Sequence, residues 1–180
     1  VATIYTIGHS TRSLDELVAA LKAHGIRTLV DIRSFPMSRR LPHFNRESLE
    51  VELPTRGISY VWMKELGGRR KKMRSDSPNT GLRNDSFRNY ADYMLTTDFA
   101  QAVEGLLQIA QQQAGGNTAI MCAERMYFQC HRMLVSDYLA AHGHIVLHID
   151  DDKRPARPHS LMSEARLVNG KMLYDAQQLF

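Results

Sequence analysis

A chain of 180 residues with 43% hydrophobic and 23% charged residues holds enough apolar material for one packed core and is no disordered polymer. Two cysteines are too few for a disulfide framework and point to a reducing cytoplasm. No apolar run approaches the roughly 20 residues of a membrane span, so no membrane partner is expected. A net charge of +4 allows an anionic small molecule or a nucleic acid as partner without requiring either.

The opening VATIYTIGHS lacks the charged start and apolar middle of a signal peptide. Ile4 to Ile7 reads as a first strand that leaves through Gly8-His9-Ser10-Thr11. Ser13 and Glu16 form a capping box, followed by Leu14, Leu17, Val18 and Leu21 at helical spacing, with Gly25 as the stop. Thr28 to Ile32 is a second strand, apolar enough for burial on both faces, and Arg33-Ser34-Phe35-Pro36 breaks it. Asn45 is placed to cap a short helix carrying Leu49 and Leu53 that stops at Pro54. Ile58 to Met63 is a third strand. After it come Gly67-Gly68, five basic residues in the six positions 69 to 74, and a Ser/Asn/Asp/Pro/Gly-rich stretch from Ser75 to Asp85 that reads as a mobile loop.

Phe87, Tyr90, Ala91 and Met94 mark the next helix. Another starts at Asp98, with Phe99, Ala102, Val103, Leu106 and Ala110 on one face, and ends at Gly115-Gly116. Thr118 to Cys122 is the fourth strand, a helix follows from about Cys130 to Ala141, and His144 to Ile149 is the fifth strand. Beyond Asp150-Asp151-Asp152 the pattern weakens. Ser160 to Leu167 is read as helical, and Gly170 to Phe180 carries no assignment. Strands alternating with helices predict a single α/β domain over residues 1–180, a mostly parallel sheet of about five strands with helices on both faces. Ligands bind at the C-terminal edge of such a sheet. Five stretches deliver reactive groups there: His9 and Ser10, Arg33, Lys64 and Glu65, Glu124 to Arg132, and Asp150.

The stretch TAIMCAERMYFQCHR, residues 118 to 132, holds both cysteines, Glu124, Arg125 and Arg132. Cys130, read at a helix N-terminus beside His131 and Arg132, has the surroundings that favour a thiolate, hence a nucleophile or a metal ligand; a buried inert thiol is the alternative. Cys122 ends an apolar strand and reads as mainly structural. Cys122, Cys130 and His131 are candidate ligands for a soft metal, but they lack C-x-x-C spacing and a fourth partner, and the sequence names no cofactor. Asp31 in an apolar strand, two residues before Arg33, is either half of a structural ion pair or a catalytic carboxylate beside an anion-binding arginine. His9, Glu124 and Asp31 are candidate acids or bases, with Cys130 and His131 completing the catalytic set. Arg33, Arg132, Arg69 and Arg70 are candidates to hold an anion. Gly67-Gly68-Arg69-Arg70 could cradle phosphate, or be a solvated loop; it is not a Walker A sequence.

TIGHS, LVDIRSFP, ELGGRR, FRNYADYM, MCAE, CHR and VLHI occur in this order. On these motifs the chain resembles the domain of unknown function family 488 from about Ile4 to Ile149. The resemblance implies an α/β domain and implies that His9, Asp31, Arg33, Cys122, Glu124, Cys130, His131 and Arg132 match the family's characteristic polar positions. It implies no activity. A more distant likeness is to rhodanese domains and cysteine phosphatases, in which a cysteine ends a strand below a loop of backbone N–H groups. Cys122 would match that cysteine, but Met126-Tyr127-Phe128 replaces the small residues of such a loop, and Phe128 stands where the phosphatase spacing requires arginine. The expectation is an enzyme, a hydrolase or transferase, with a Cys-His-Arg/Glu site for a phosphate-bearing substrate, possibilities including a nucleotide or nucleic acid. The alternatives are a nucleic-acid-binding or regulatory module without catalysis, and rhodanese-like thiol chemistry at Cys122.

Overall fold

Neighbouring residues of each central strand face opposite sides of the sheet, and here both sides are apolar. Ile4, Val30, Ile120 and Val146 enter one core, while Ile7, Leu29, Ala119 and Met121 enter a second. The computed structural model describes residues 1–112 and 115–175. Strands β1 (Thr3–Gly8), β2 (Ile26–Asp31), β3 (Ser59–Trp62), β4 (Asn117–Cys122), β5 (Ile145–His148) and the two-residue β6 (Arg157–Pro158) form one sheet in the order β3-β2-β4-β1-β5-β6. The first five are parallel and β6 is antiparallel to β5. Helices α1 (Leu14–Ala23) and α2 (Arg46–Thr55) cover the second core. Helices α3 (Asp85–Tyr93), α4 (Thr97–Gln112) and α5 (Arg132–Ala141) cover the first. The expected α/β sheet with helices on both faces is therefore present, with one more, short strand than the five expected.

Local chemistry sets most boundaries. Ser13 Oγ accepts from the Glu16 amide at 3.1 Å while Glu16 accepts from the Ser13 amide at 2.9 Å, so the capping box is closed. Gly25, at φ +68°, ends α1. Asn45 occupies the N-cap of α2, but its Oδ1 accepts from the Ser38 amide at 2.6 Å instead of capping the helix. That helix also runs through Pro54 to Thr55; the chain turns at Gly57, φ +78°, where the left-handed backbone is free of strain.

The region after Asp150 departs from expectation. Ser160 to Leu167 is not helical: Ala165–Val168 and Lys171–Tyr174 form a separate antiparallel hairpin, β7 and β8. Its turn is Asn169-Gly170, both at positive φ (51° and 78°), the commonest two-residue hairpin signal. Residues 176–180 of the unassigned stretch lie outside the described residues. The Ser75–Asp85 stretch is irregular as expected, yet anchored. Asn79 is fully buried, donates to Asp92 at 2.8 Å and accepts from the Tyr174 amide at 2.9 Å.

Candidate functional site

The parallel ladder continues past the strand ends and carries three loops to one place. His9 N and Ser10 N donate to the Cys122 and Ala123 carbonyls, both at 2.9 Å, and Ile32 N donates to Met121 O at 3.0 Å. Gly8 is required here, because a Cβ would overlap the Glu124 carbonyl. The loops after β2, β3 and β4 enclose a cleft of about 270 Å³ whose walls include Arg33, Arg69, Cys122, Glu124, Cys130 and His131. It adjoins a larger basin of about 540 Å³ bordered by Lys64, Arg70 and Lys71, and shares Arg69, Gly68 and Phe35 with it. Phe35 stands at this boundary and is 66% exposed.

The cleft floor is a cluster of sulfur and nitrogen. The ligand atoms of Cys122, Cys130 and His131 lie within 4.8 Å of one another. His131 donates from Nε2 to the Ile32 carbonyl at 2.8 Å, leaving Nδ1 as an acceptor 3.8 Å from Cys122 Sγ. A Cβ on Gly68 would collide with that imidazole, so the glycine lets the β3 loop close over it. Burial, aided by the charges of Arg132 and Arg70, outweighs the Ile32 carbonyl and lowers the pKa of His131 to about 4. The imidazole is thus neutral at pH 7 and adds no positive charge to the thiols.

Cys130 is not the first residue of α5. It lies extended ahead of the N-cap His131, after a short 3-10 turn at Tyr127–Gln129. Its sulfur nevertheless meets the start of α5. Arg132 donates to Cys130 Sγ from Nε at 3.2 Å and from its backbone amide at 3.4 Å. The Tyr127 carbonyl, the acceptor that a protonated Cys130 would use, lies 3.8 Å away. Arg132 is 1% exposed. Its remaining N–H groups reach Thr6 Oγ1 at 3.4 Å and the carbonyls of Glu124 and Arg125. Among the described residues it has no carboxylate partner. Burial opposes the Cys130 thiolate, but the neighbouring Cys122 thiol and Arg132 outweigh it, so the Cys130 pKa is lowered; Cys122 is raised by the proximity of Cys130 and by burial.

The other predicted residues divide by position. Arg33 lines the cleft, but its guanidinium is held by Asp31 at 2.9 and 2.6 Å and by the Phe44 carbonyl at 2.7 Å. Asp31 is fully buried, and Tyr60 donates its hydroxyl to the same carboxylate. His9 lies behind Arg33, accepting from it at Nε2 (3.3 Å) and donating from Nδ1 to Ser10 O (2.8 Å); burial lowers its pKa to about 4. Neither His9, Asp31 nor Arg132 lines the cleft. Glu124 is exposed on its wall. The Arg69 side chain makes no hydrogen bond among the described residues, whereas Arg70 donates to the carbonyls of Gly67, Lys64 and Glu65 and lies 3.7 Å from the centre of the Tyr93 ring.

The sequence reading missed a second buried cluster behind Arg132, made of Thr6, Asp137, His148 and His159. The available signal was a histidine within the apolar strand VLH, since a buried polar side chain needs a partner. The three donors of Cys122, Cys130 and His131 could hold one soft cation, but a guanidinium already donates to one of the two sulfurs and opposes a second positive charge there. No curated protein and no solved structure gives a match to the chain. The family model described as Domain of unknown function DUF488 matches residues 13–139, well over half of the sequence, and the chain belongs to that family.

Proposed function

We propose that the protein is an enzyme of covalent thiol chemistry acting on an anionic, phosphate-bearing substrate, with Cys130 as the nucleophile. One observation carries this reading: Arg132, a buried guanidinium with no carboxylate partner among the described residues, donates to Cys130 Sγ at the cleft wall. A buried cation is costly unless an anion pairs with it, and the Cys130 thiolate is the group placed to do so. Such a thiolate is both a stable ion at neutral pH and a competent nucleophile. The Cys130 sulfur forms a bond to the electrophilic centre while the bond to the leaving group breaks. The leaving group takes the electron pair and a proton, and water then releases the bound fragment.

Glu124 is the acid or base in this scheme, because Asp31 is committed to Arg33 and Tyr60. Arg69, whose side chain makes no hydrogen bond among the described residues and which is shared by the cleft and the basin, receives the negative charge, with Lys64 and Lys71 farther out. Cations that line a cavity continuous with the thiols favour an enzyme over a binding module whose basic face lies elsewhere. A nucleotide fits this chemistry, with its phosphate at Arg69 and its base against the exposed ring of Phe35. Reduced thiols require a reducing compartment, which for this reading is the cytoplasm.

The test is site-resolved alkylation with iodoacetamide from pH 5 to 9. Trypsin cleaves at Arg125 and Arg132, so Cys122 and Cys130 fall in separate peptides. Cys130 should label with a midpoint below the ordinary thiol pKa of about 8.5, Cys122 should resist, and inorganic phosphate or a nucleotide should slow the labelling of Cys130. Earlier labelling of Cys122 would overturn the assignment in favour of rhodanese-like chemistry. Labelling that appears only after a zinc chelator would replace the nucleophile with a metal site.

A further inference from the structure

A continuous hydrogen-bonded chain runs behind the candidate nucleophile, and every group in it is buried. Asp137 Oδ1 lies 2.6 Å from His159 Nε2, His159 Nδ1 lies 2.9 Å from His148 Nε2, and His148 Nδ1 lies 2.7 Å from Thr6 Oγ1. Thr6 Oγ1 in turn lies 3.4 Å from Nη1 of Arg132, whose Nε contacts Cys130 Sγ. Thr6 and Asp137 are fully buried, His148 is 5% exposed and the His159 side chain 1%.

The proton positions follow from one end. A carboxylate only accepts, so the His159 nitrogen that faces Asp137, Nε2, carries a proton, and in the neutral ring Nδ1 is then bare. His148 must then donate from Nε2 and present its own bare Nδ1, to which the Thr6 hydroxyl donates. That leaves the Thr6 oxygen lone pairs for Arg132. With both rings neutral, every donation points from the guanidinium toward the carboxylate. A second proton on His148 would put an N–H against Thr6 and leave the Thr6 hydroxyl without its acceptor. Burial, reinforced by His159, Arg132 and Arg157, opposes that proton and lowers His148 to about 3.

We propose that Thr6, His148, His159 and Asp137 form a relay of positioning residues that fixes Arg132 against Cys130, so that a carboxylate remote from the sulfur sets its reactivity. The proposal rests on the reading of Cys130 as a thiolate nucleophile. Two further contacts support it. The Tyr127 ring stacks on His148 at 3.7 Å and 2°, and Tyr127 belongs to the turn that leads into Cys130. Asp137 is itself held by the Tyr174 hydroxyl at 2.9 Å and the Met162 amide at 3.3 Å. Satisfying so many buried polar atoms in one direction gives a rigid, specific network, whereas leaving any of them unpaired is costly. Thr6, His148, His159 and Tyr174 all lie outside residues 13–139 matched by the family model, so the relay joins flanking strands to the matched segment.

The experiment is the pH profile of Cys130 alkylation, read on its own tryptic peptide, in wild type, Thr6→Val, Thr6→Ser and His148→Phe. The other titratable groups near the sulfur are Cys122, His131, Arg132 and, from α3, Tyr90; none of them is changed. Thr6→Val keeps the shape and removes the hydroxyl, and His148→Phe keeps a ring against Tyr127 and removes both nitrogens. Both should raise the Cys130 midpoint by about one pH unit, roughly a tenfold loss of rate below it, while Thr6→Ser follows wild type. Should Thr6→Val fail to fold, His148→Phe carries the same test. A low wild-type midpoint left unmoved by Thr6→Val and His148→Phe would overturn the relay alone, as would a shift in Thr6→Ser as large as in Thr6→Val. An ordinary midpoint in wild type would overturn the thiolate reading and the relay with it.

Discussion

Two of the buried arginines near the sheet edge, Arg33 and Arg132, differ in their circumstances. Arg33 follows β2 and closes back on Asp31 two residues earlier, with three hydrogen bonds to one carboxylate counting its own amide. Arg132 begins α5, and its nearest anionic candidate is a sulfur. Among the described residues, the carboxylate connected to it, Asp137, is reached through Thr6, His148 and His159. The same residue type thus does two jobs. An arginine neutralised by its own carboxylate fixes a loop and has little charge left to offer. An arginine kept from a carboxylate projects its charge onto whatever group it touches, and burial keeps water from screening that charge.

The largest effect expected from breaking this contrast is on the Arg33 side. Arg33→Met leaves Asp31 buried without its cation and should cost about 3–5 kcal/mol in urea unfolding at pH 7. The double variant Asp31→Asn/Arg33→Met should recover a good part of that loss. A small cost for the single variant would mean that the pair is not what holds the β2 loop.

Acid should act on both sides of the comparison. Burial holds His9 and His131 at about 4 and His148 at about 3, against 6.5 in the unfolded chain. The unfolded chain therefore binds protons between about pH 6.5 and 4 that the folded chain refuses. This contribution to stability is complete above pH 6.5 and is lost as pH falls toward the folded values. Each histidine is worth roughly 1.4 kcal/mol by pH 5.5, so the three together give up to about 4 kcal/mol. Chemical denaturation at pH 7.5 and 5.5 measures this, and equal stabilities at the two values would contradict the buried neutral assignment.

On the Arg132 side the effect should appear in reactivity. Arg132→Met retains an unbranched apolar stem and removes the charge on Cys130, so alkylation of Cys130 at pH 7 should slow about tenfold, roughly 1.4 kcal/mol. Arg33→Met should leave that rate near wild type, and equal losses in the two variants would erase the distinction between the arginines. The smallest effect belongs to exposed charge. Lys71 and Lys72 are exposed, so replacing both with Gln should change stability by less than about 0.5 kcal/mol. If a polyanion such as DNA binds there, its salt slope should flatten by up to about two. An unchanged slope would mark the run as a solvated loop.

Short-range chemistry alone determined several features of this protein. The Ser13–Glu16 capping box, the Gly25 stop and the Asp31–Arg33 pairing each join residues at most four positions apart, and local geometry forces them together. Alternation of strand and helix patterns likewise determined that reactive groups gather at one sheet edge. The Asn169-Gly170 turn was equally local, but its flanking strands are short and lie half-exposed in a separate two-stranded sheet, so their apolar pattern is faint. Tertiary structure decided everything that depends on strand order. Thr6 meets His148 because β1 lies between β4 and β5, and Thr6 reaches Arg132 across 126 positions. Whether Cys122 and Cys130 share a cleft and whether His131 is charged both follow from burial and from partners remote in sequence. A side-chain pattern records which residues are apolar, while the charge state of a buried group depends on the specific atoms that replace its water.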